Sequence, residues 1–308
     1  MRVLVTGGAG FIGHNLALYL HERGFSVVVL DSLERASPVA LKRLAEHGLA
    51  VVKGDVRDKH SFKTLVEKSD VVVHLAAYIS VEESFDKPYE YVSNNAGGTA
   101  AVASLCTELS KPLVYASSAA VYGNPVKTPI PEEHPLNPTS PYGLSKVLGE
   151  RVVEFYGGLG LRYVILRIFN AYGIGQSGAY GGVISKFIER ACKSEPLIIY
   201  GDGLQVRDFI YVDDLARLVE LILEKDVWSV ILNAGSGLPT RILDLAKLVL
   251  ELSGSSSRIV HAPARRGDIR ESWADITKAR KLLGFEPRIS LRDGVRKMLD
   301  YYCGLVYT

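Results

Sequence analysis

The sequence has little of several residues and patterns that mark common classes of protein. Its 308 residues include three cysteines, Cys106, Cys192 and Cys303, which are too far apart in the chain for a short metal-binding or redox motif. We therefore expect no metal site and interpret the cysteines as reduced packing residues of a cytoplasmic protein. No apolar run approaches the roughly 20 residues that span a bilayer, and no cleavable signal pattern precedes the first predicted strand, so no membrane association is expected.

Excess charge of either sign is also missing. The chain has 36 basic and 34 acidic residues, a formal net charge of +2, so neither nucleic acid nor an anionic membrane is an expected partner. No internal repeat or low-complexity linker divides the sequence. The length allows a large apolar core in one or two domains.

Apolar segments in the first half of the chain alternate between strand-like and helix-like spacing. The pattern predicts strands at residues 2–6, 25–30, 50–53, 71–75, 112–116 and 163–169, and helices at 15–23, 38–47, 61–68, 89–109 and 141–156. Such βαβ alternation is typical of an α/β fold with a Rossmann-type, doubly wound parallel sheet. Its ligand is expected at the carboxyl ends of the strands.

The second half is less regular. A glycine-rich loop at 173–182 is followed by a predicted helix at 183–192, a core strand at 227–233 and a helix at 241–252. We therefore predict two interleaved domains. Residues 1–170 with about 205–235 form the nucleotide-binding domain, and about 171–204 with 236–308 form a smaller, discontinuous substrate domain.

Four glycines, at positions 7, 8, 10 and 13, lie between the first strand and the first helix. Glycine there allows a tight turn, close approach of a ligand and close packing of the helix on the strand, and the helix N-terminus faces an anion such as a pyrophosphate. Asp31 ends the second strand, where a carboxylate accepts hydrogen bonds from an adenosine ribose and repels a 2′-phosphate. This order of features predicts NAD rather than NADP as the cofactor.

Two further stretches carry catalytic side chains. In YASSAAVYG, residues 115–123, a strand ends in Ser117 and Ser118; in PTSPYGLSK, residues 138–146, Tyr142 and Lys146 lie four apart on one helix face. A nearby ammonium and the positive nicotinamide of NAD⁺ lower the pKa of a tyrosine. Tyr142 is then a general base toward a sugar hydroxyl, Lys146 holds the nicotinamide ribose, and Ser118 binds the same substrate oxygen.

The whole pattern resembles the extended short-chain dehydrogenase/reductase family, and especially its UDP-galactose 4-epimerases. The resemblance covers nearly all of the chain and is carried by TGGAGFIG, Asp31, GDVRD, HLAA, SSAAVYG, YGLSK, RIFNAYG, VRDFIYVDD and APARRGD. It implies cofactor contacts by Gly7, Gly10, Phe11, Ile12, Gly13, Asp31, Asp55, Val56, Leu75, Ala76, Ala77, Asn94, Tyr142 and Lys146. It implies a nucleotide-sugar site formed by Ser118, Asn170, Val183, Ile198, Tyr200, Arg207, Arg265, Asp268 and Ser272.

The residues after Ser118 discriminate among reactions in this family. Relatives that dehydrate or decarboxylate carry acids there, whereas this chain has Ala119 and Ala120, which transfer no proton. The resemblance therefore implies 4-epimerisation of a UDP-hexose: oxidation at C4, rotation of the 4-keto sugar and re-reduction from the opposite face. The alternatives are a UDP-N-acetylhexosamine, for which Ser272 would leave room, a UDP-uronic acid, or a non-catalytic NAD-binding protein. Relatives also pair helices equivalent to 89–109 and 141–156, which implies a homodimer.

Overall fold

A parallel sheet of seven strands forms the larger part of the fold. The structure is a computed structural model and describes residues 1–176, 181–264 and 269–304. The strand order is β10-β6-β5-β4-β1-β2-β3, and all neighbours are parallel. The strands are β1 (Arg2–Thr6), β2 (Ser26–Asp31), β3 (Val51–Lys53), β4 (Val71–His74), β5 (Leu113–Ser118), β6 (Tyr163–Ile168) and β10 (Val230–Ala234). The predicted fold class is confirmed.

Helices cover both faces of this sheet. On one face α1 (Phe11–Glu22), α9 (Val212–Lys225) and α11 (Thr277–Leu283) pack against the strands. On the other face lie α3 (Lys59–Glu67), α6 (Gly98–Glu108) and α7 (Pro141–Gly157). The remaining elements of this part are α2 (Pro38–Glu46), α4 (Val81–Asp86), α5 (Pro88–Tyr91), a π-helical segment (Val92–Gly97) and a 3-10 turn (Ala119–Val121). The central strands β1, β4, β5 and β6 are buried on both sides, which explains their nearly continuous apolar sequences.

A second apolar cluster lies among α8 (Val183–Cys192), α10 (Ile242–Ser253) and α12 (Leu291–Gly304). Two small sheets accompany these helices. The first contains β7 (Asn170–Tyr172), β9 (Val206–Tyr211), β11 (Pro239–Arg241) and β13 (Glu271–Ser272), and the second contains β8 (Leu197–Tyr200) and β12 (Ile259–Ala262).

The chain passes repeatedly between the two clusters. The predicted nucleotide-binding domain included about 205–235, and in the structure β9 joins a small sheet whereas α9 and β10 join the large one. The proposed boundaries stay a prediction. Within the described residues, no helix has the length and apolar character needed to cross a membrane.

A disulfide joins α8 to α12. Cys192 and Cys303 are bonded, with their Cα atoms 5.4 Å apart although 111 positions separate them in the sequence. The prediction that all three cysteines are reduced packing residues is therefore wrong for these two. It failed because wide sequence spacing says nothing about distance once two helices pack side by side. Cys106 is free and buried, as a packing residue would be.

Candidate active site

A cavity of about 420 Å³ runs along the carboxyl edge of the large sheet. The glycine turn after β1 lies along one part of it, and Ser118, Tyr142 and Lys146 lie along another. The predicted residues that line it are Gly7, Gly10, Phe11, Ile12, Gly13, Asp31, Asp55, Val56, Leu75, Ala76, Ala77, Asn94, Ser118, Tyr142, Lys146, Asn170 and Val183. One cavity therefore brings together all the cofactor contacts implied by the resemblance and the three catalytic candidates.

The glycine turn is shaped by close contacts of the backbone. Gly7 has a φ of +67°, and a Cβ there would lie 2.6 Å from the backbone of Ala76. A Cβ on Gly13 would lie 2.3 Å from the carbonyl oxygen of Gly7. Only glycine fits these positions. Gly10 precedes α1 without any side-chain cap, so the first N–H groups of the helix remain available to an anion.

Asp31 is fixed at the end of β2, next to this turn. Its Oδ2 accepts a hydrogen bond from the Ala9 amide at 3.0 Å, and its Oδ1 accepts one from the Leu33 amide at 2.8 Å. The carboxylate therefore has a set orientation on the cavity wall. An acid held in this way suits the hydroxyls of a nucleoside ribose.

The catalytic candidates meet because β5 ends, and α7 begins, at the same edge of the large sheet. Ser140 caps α7 by accepting from the Gly143 amide at 3.0 Å, and Pro141 is the first helical residue. Tyr142 and Lys146 consequently face β5, where Ser118 is the last strand residue. The Lys146 ammonium donates to the Ala116 carbonyl oxygen at 2.7 Å, which holds it under the cavity.

Burial shifts the pKa values of both Tyr142 and Lys146. It raises the pKa of Tyr142 above 10, and a hydrogen bond with Ser118 opposes the rise. Burial lowers the pKa of Lys146 to about 8, against the attraction of Glu150, which favours the ammonium. The expectation that the tyrosine pKa is depressed therefore does not hold for the protein by itself. It requires the positive charge of an oxidised nicotinamide beside the phenol.

Next to the catalytic candidates, Ser117, Glu150 and Arg167 form a buried ionic network that was not predicted from the sequence. Glu150, one helical turn beyond Lys146, accepts hydrogen bonds from Ser117 Oγ at 2.5 Å and from the Arg167 guanidinium at 2.7 Å. Arg167 also donates to the Glu132 carbonyl oxygen at 2.6 Å. These contacts tie α7 to β5 and β6. The sequence offered three separate signals, the motifs that contain Ser117 and Arg167 and the i, i+4 spacing of Lys146 and Glu150, but nothing that joined them.

The other predicted substrate residues lie in the small sheets or outside the described part of the chain. Ile198 and Tyr200 lie in β8, and Ser272 in β13 is paired with Arg207 in β9. None of the four lines the cavity, but Phe209, two residues beyond Arg207 on the same strand, does. Arg265 and Asp268 lie outside the described residues. The roles of these six stay predictions, as do the roles of the residues that line the cavity.

Several further side chains line the cavity although no role was predicted for them from the sequence. The loop after β2 contributes Ser32, Glu34, Arg35 and Ser37, and the segment after β4 contributes Tyr78 and Ile79. Phe169, Tyr172, Gln176 and Ile184 line it from the side of the smaller part. Among the residues that the structure describes, no group of three or more His, Cys, Asp or Glu side chains could hold a metal ion.

A family model matches residues 3–235, and its family is the NAD dependent epimerase/dehydratase family. The chain belongs to this family. A putative UDP-glucose 4-epimerase of Methanocaldococcus jannaschii is 36% identical over 305 residues, which are 97% of this chain and 97% of that protein. A UDP-N-acetyl-alpha-D-glucosaminuronate decarboxylase of Bacillus cytotoxicus is 32% identical over 98% of this chain and 97% of its own.

Solved structures of the epimerase/dehydratase family share this architecture. The UDP-glucose 4-epimerase of Thermotoga maritima, solved with UDP-glucose, superposes with a TM-score of 0.93 at 34% identity, over 99% of this chain and 100% of that one. The protein is therefore an enzyme of the epimerase/dehydratase family with NAD as its cofactor. The pocket residues fit that cofactor: a glycine turn without a side-chain cap lies beside a fixed carboxylate.

Proposed function

We propose that the protein interconverts UDP-galactose and UDP-glucose by transient oxidation at C4 of the hexose. The observation that carries the proposal is the absence of an acid beside the catalytic pair. The carboxylates that line the described part of the cavity are Asp31, the last residue of β2, and Glu34 and Asp55 in the loops after β2 and β3. Ser118 is followed by Ala119 and Ala120. A dehydratase or decarboxylase needs an additional proton donor or acceptor at the sugar, and none of the described residues that line the cavity beside Ser118 and Tyr142 is an acid.

Three side chains perform the proton chemistry in this proposal. NAD supplies reversible hydride transfer when it is bound. Tyr142, as phenolate, removes the proton from the C4 hydroxyl and later returns one to the C4 oxygen. Ser118 donates a hydrogen bond to that oxygen, and the Lys146 ammonium holds the ribose and stabilises the phenolate. The cycle is redox-neutral, because the hydride taken from C4 returns to the opposite face of the same carbon.

The sugar must turn between the two hydride transfers, so the nucleotide end has to be held more firmly than the hexose. Arg207, Arg265 and Asp268 are proposed to hold the diphosphate and the ribose, and the β8 backbone near Ile198 is proposed to hold the uracil. An arginine fork suits a diphosphate because it donates two parallel hydrogen bonds.

A panel of nucleotide sugars tests the proposal. Purified protein with NAD is incubated separately with UDP-glucose, UDP-galactose, UDP-N-acetylglucosamine, UDP-glucuronic acid and dTDP-glucose, and the products are separated by chromatography. We expect UDP-glucose and UDP-galactose to reach one common mixture from either side. A dehydrated 4-keto-6-deoxy product, release of CO₂ or turnover confined to another sugar would contradict the proposal. No conversion at all would favour a non-catalytic NAD-binding protein.

We also propose that the enzyme acts as a homodimer through one helical face. Helices α4, α5 and α7 expose large apolar side chains: Phe85 is 61% exposed, Tyr89 79% and Phe155 65%, and Leu144 and Leu148 are exposed beside them. Within the predicted helix 89–109, Ala101 and Ala103 are buried within the chain itself. The side chains on the exposed face are the ones available to a second copy.

Light scattering at micromolar concentration measures the assembly. We expect twice the mass of the 308-residue chain for the wild type and the monomer mass for Leu148→Glu, because a charge in a packed apolar interface lacks a partner. Val126→Glu is the matched control, since Val126 is 82% exposed and lies outside these helices. A wild-type monomer would contradict the proposal.

We further propose that the enzyme is located in the cytoplasm. Cell fractionation measures its location.

A further inference from the structure

Two segments on opposite sides of β1 meet beside the cofactor part of the cavity. Arg35 lies in the loop after β2, and Glu83 lies in α4, which follows β4. In the sheet, β1 lies between β2 and β4, and the carboxyl ends of parallel strands share one edge. A contact between Arg35 and Glu83 therefore bridges across β1 at the end where the glycine turn begins.

The contact is a two-point ion pair backed by an aromatic ring. Arg35 Nη1 donates to Glu83 Oε2 at 2.6 Å, and Arg35 Nη2 donates to Glu83 Oε1 at 3.1 Å. The guanidinium carbon lies 3.7 Å from the centroid of the Tyr78 ring. The Tyr78 hydroxyl in turn donates to both carboxylate oxygens of Glu34, at 2.9 and 2.8 Å. Planar pairing and stacking of this kind favour arginine over lysine.

Both sides of the bridge are anchored to the fold. Ser80 caps α4 by accepting from the Glu83 amide at 3.1 Å, and the Tyr91 hydroxyl donates to Glu83 Oε2 at 2.9 Å. The backbone of Tyr78 is held by Asn95, which accepts from its amide at 2.8 Å and donates to its carbonyl oxygen at 2.9 Å. Hydrogen bonding to Arg35 is the largest influence on the pKa of Glu83 and lowers it to about 2, so this carboxylate is charged at neutral pH.

Glu34, Arg35 and Tyr78 all line the cavity that also contains Gly7, Gly13 and Asp31. We propose that Arg35, Glu83 and Tyr78 form a clasp over the adenosine and pyrophosphate part of bound NAD and set how slowly the cofactor leaves. Departure of NAD past this wall requires the two segments to separate, which breaks the ion pair. The clasp rests on the NAD dependence of the family and not on which sugar nucleotide is processed.

Cofactor release measures the clasp directly. Protein loaded with radiolabelled NAD is diluted into excess unlabelled NAD, and the bound label is counted on filters over time. We expect Glu83→Gln and Arg35→Ala each to release NAD about fivefold faster or more, since a charge-assisted two-point hydrogen bond is lost. Raising the salt concentration should speed release from the wild type and have little effect on either variant.

Lys87→Ala is the matched control, because it removes an exposed partner of the same Glu83 carboxylate, at 3.1 Å, without touching the bridge. It should release NAD at the wild-type rate. The release rate of Glu83→Gln separates the clasp from a direct contact between Arg35 and the NAD phosphates. The clasp predicts faster release, whereas a direct contact predicts slower release, because the variant would free Arg35 to bind NAD. Slower release from Glu83→Gln, or unchanged release from both variants, would overturn the proposal. The thermal midpoints of the variants show that they are folded. The sugar-nucleotide panel is a separate measurement, so failure of the clasp leaves the epimerase proposal standing.

Discussion

At the scale of single residues, Tyr142, the proposed general base, is buried in a way that opposes its ionisation. Tyr142 is 9% exposed, and burial raises its pKa above 10. The neighbouring ammonium of Lys146 is itself weakened by burial, with a pKa of about 8. A positive nicotinamide close to the phenol would shift the balance toward phenolate. Base strength in this site is therefore expected to appear with the oxidised cofactor.

Tyr142→Phe removes the base and leaves the ring. We expect kcat for UDP-galactose epimerisation to fall about 10²–10⁴-fold, with the thermal midpoint and NAD binding close to wild type. Tyr156→Phe, on the same helix α7, is the control and should keep full activity. Turnover by Tyr142→Phe near the wild-type rate would exclude the proposed base.

The residues of the candidate site are of two kinds. Some belong to local sequence motifs, and others lie in loops. Ser118, Tyr142 and Lys146 could be predicted because Ser118 ends a strand, Tyr142 lies in the first turn of a helix and Lys146 follows one turn later. Arg35 and Tyr78 could not. Their positions depend on how two irregular segments fold back over the sheet, and neither hydrophobic periodicity nor capping chemistry specifies that path.

At the scale of secondary-structure elements, two histidines are buried as neutral groups. His14 in α1 bonds to the Gly10 carbonyl oxygen and to Arg43, and burial lowers its pKa to about 4. His74 in β4 lies between the hydroxyls of Thr6 and Thr99, and burial lowers its pKa to about 3. The His14 ring must be uncharged to accept from Arg43, and burial favours the uncharged ring at both positions.

Protonation of these histidines should therefore destabilise the fold as the pH falls. Between about pH 6.5 and pH 4 the unfolded chain binds protons that the folded chain excludes, so stability falls as the pH falls. We expect each buried histidine to contribute up to about 1.4 kcal/mol per pH unit to this slope in urea unfolding. His74→Asn should flatten it, whereas exposed His60→Gln should not. Equal slopes for wild type and His74→Asn would contradict the assignment.

How well an element could be predicted depended on its length and on its local signals. Ser140 and Pro141 fixed the start of α7, and the β-branched run at Arg2–Thr6 fixed β1. The long helix predicted at 89–109 is divided by a π-helical segment at Val92–Gly97. Asn95 in that segment bonds to Tyr78 and to Ser145, contacts that arise only in the folded molecule. Strands of two or three residues, such as Glu271–Ser272, have no sequence signal of their own.

At the scale of the whole molecule, the disulfide links the smaller part of the fold across a long stretch of chain. Closing a loop of this length restricts the unfolded ensemble, so we expect reduction to lower the free energy of unfolding by about 2–4 kcal/mol. Urea unfolding with and without dithiothreitol measures the difference. Cys192→Ser should unfold like the reduced wild type.

Dithiothreitol should have no further effect on Cys192→Ser, which controls for effects of the reductant on other groups, including buried Cys106. The same unfolding midpoint for the oxidised and reduced wild type would show that the bond adds nothing to stability.

Residues 192–303 also form a closed covalent ring. The ring begins and ends in the second apolar cluster, but it passes through α9 and β10, which belong to the large sheet. One proteolytic cut inside it, for example beside exposed Leu204 or Leu238, would leave the two fragments joined. Such a nicked enzyme would run as one band on a denaturing gel and separate into two after addition of a thiol. A single backbone break between Cys192 and Cys303 therefore does not release a fragment while the bond is intact.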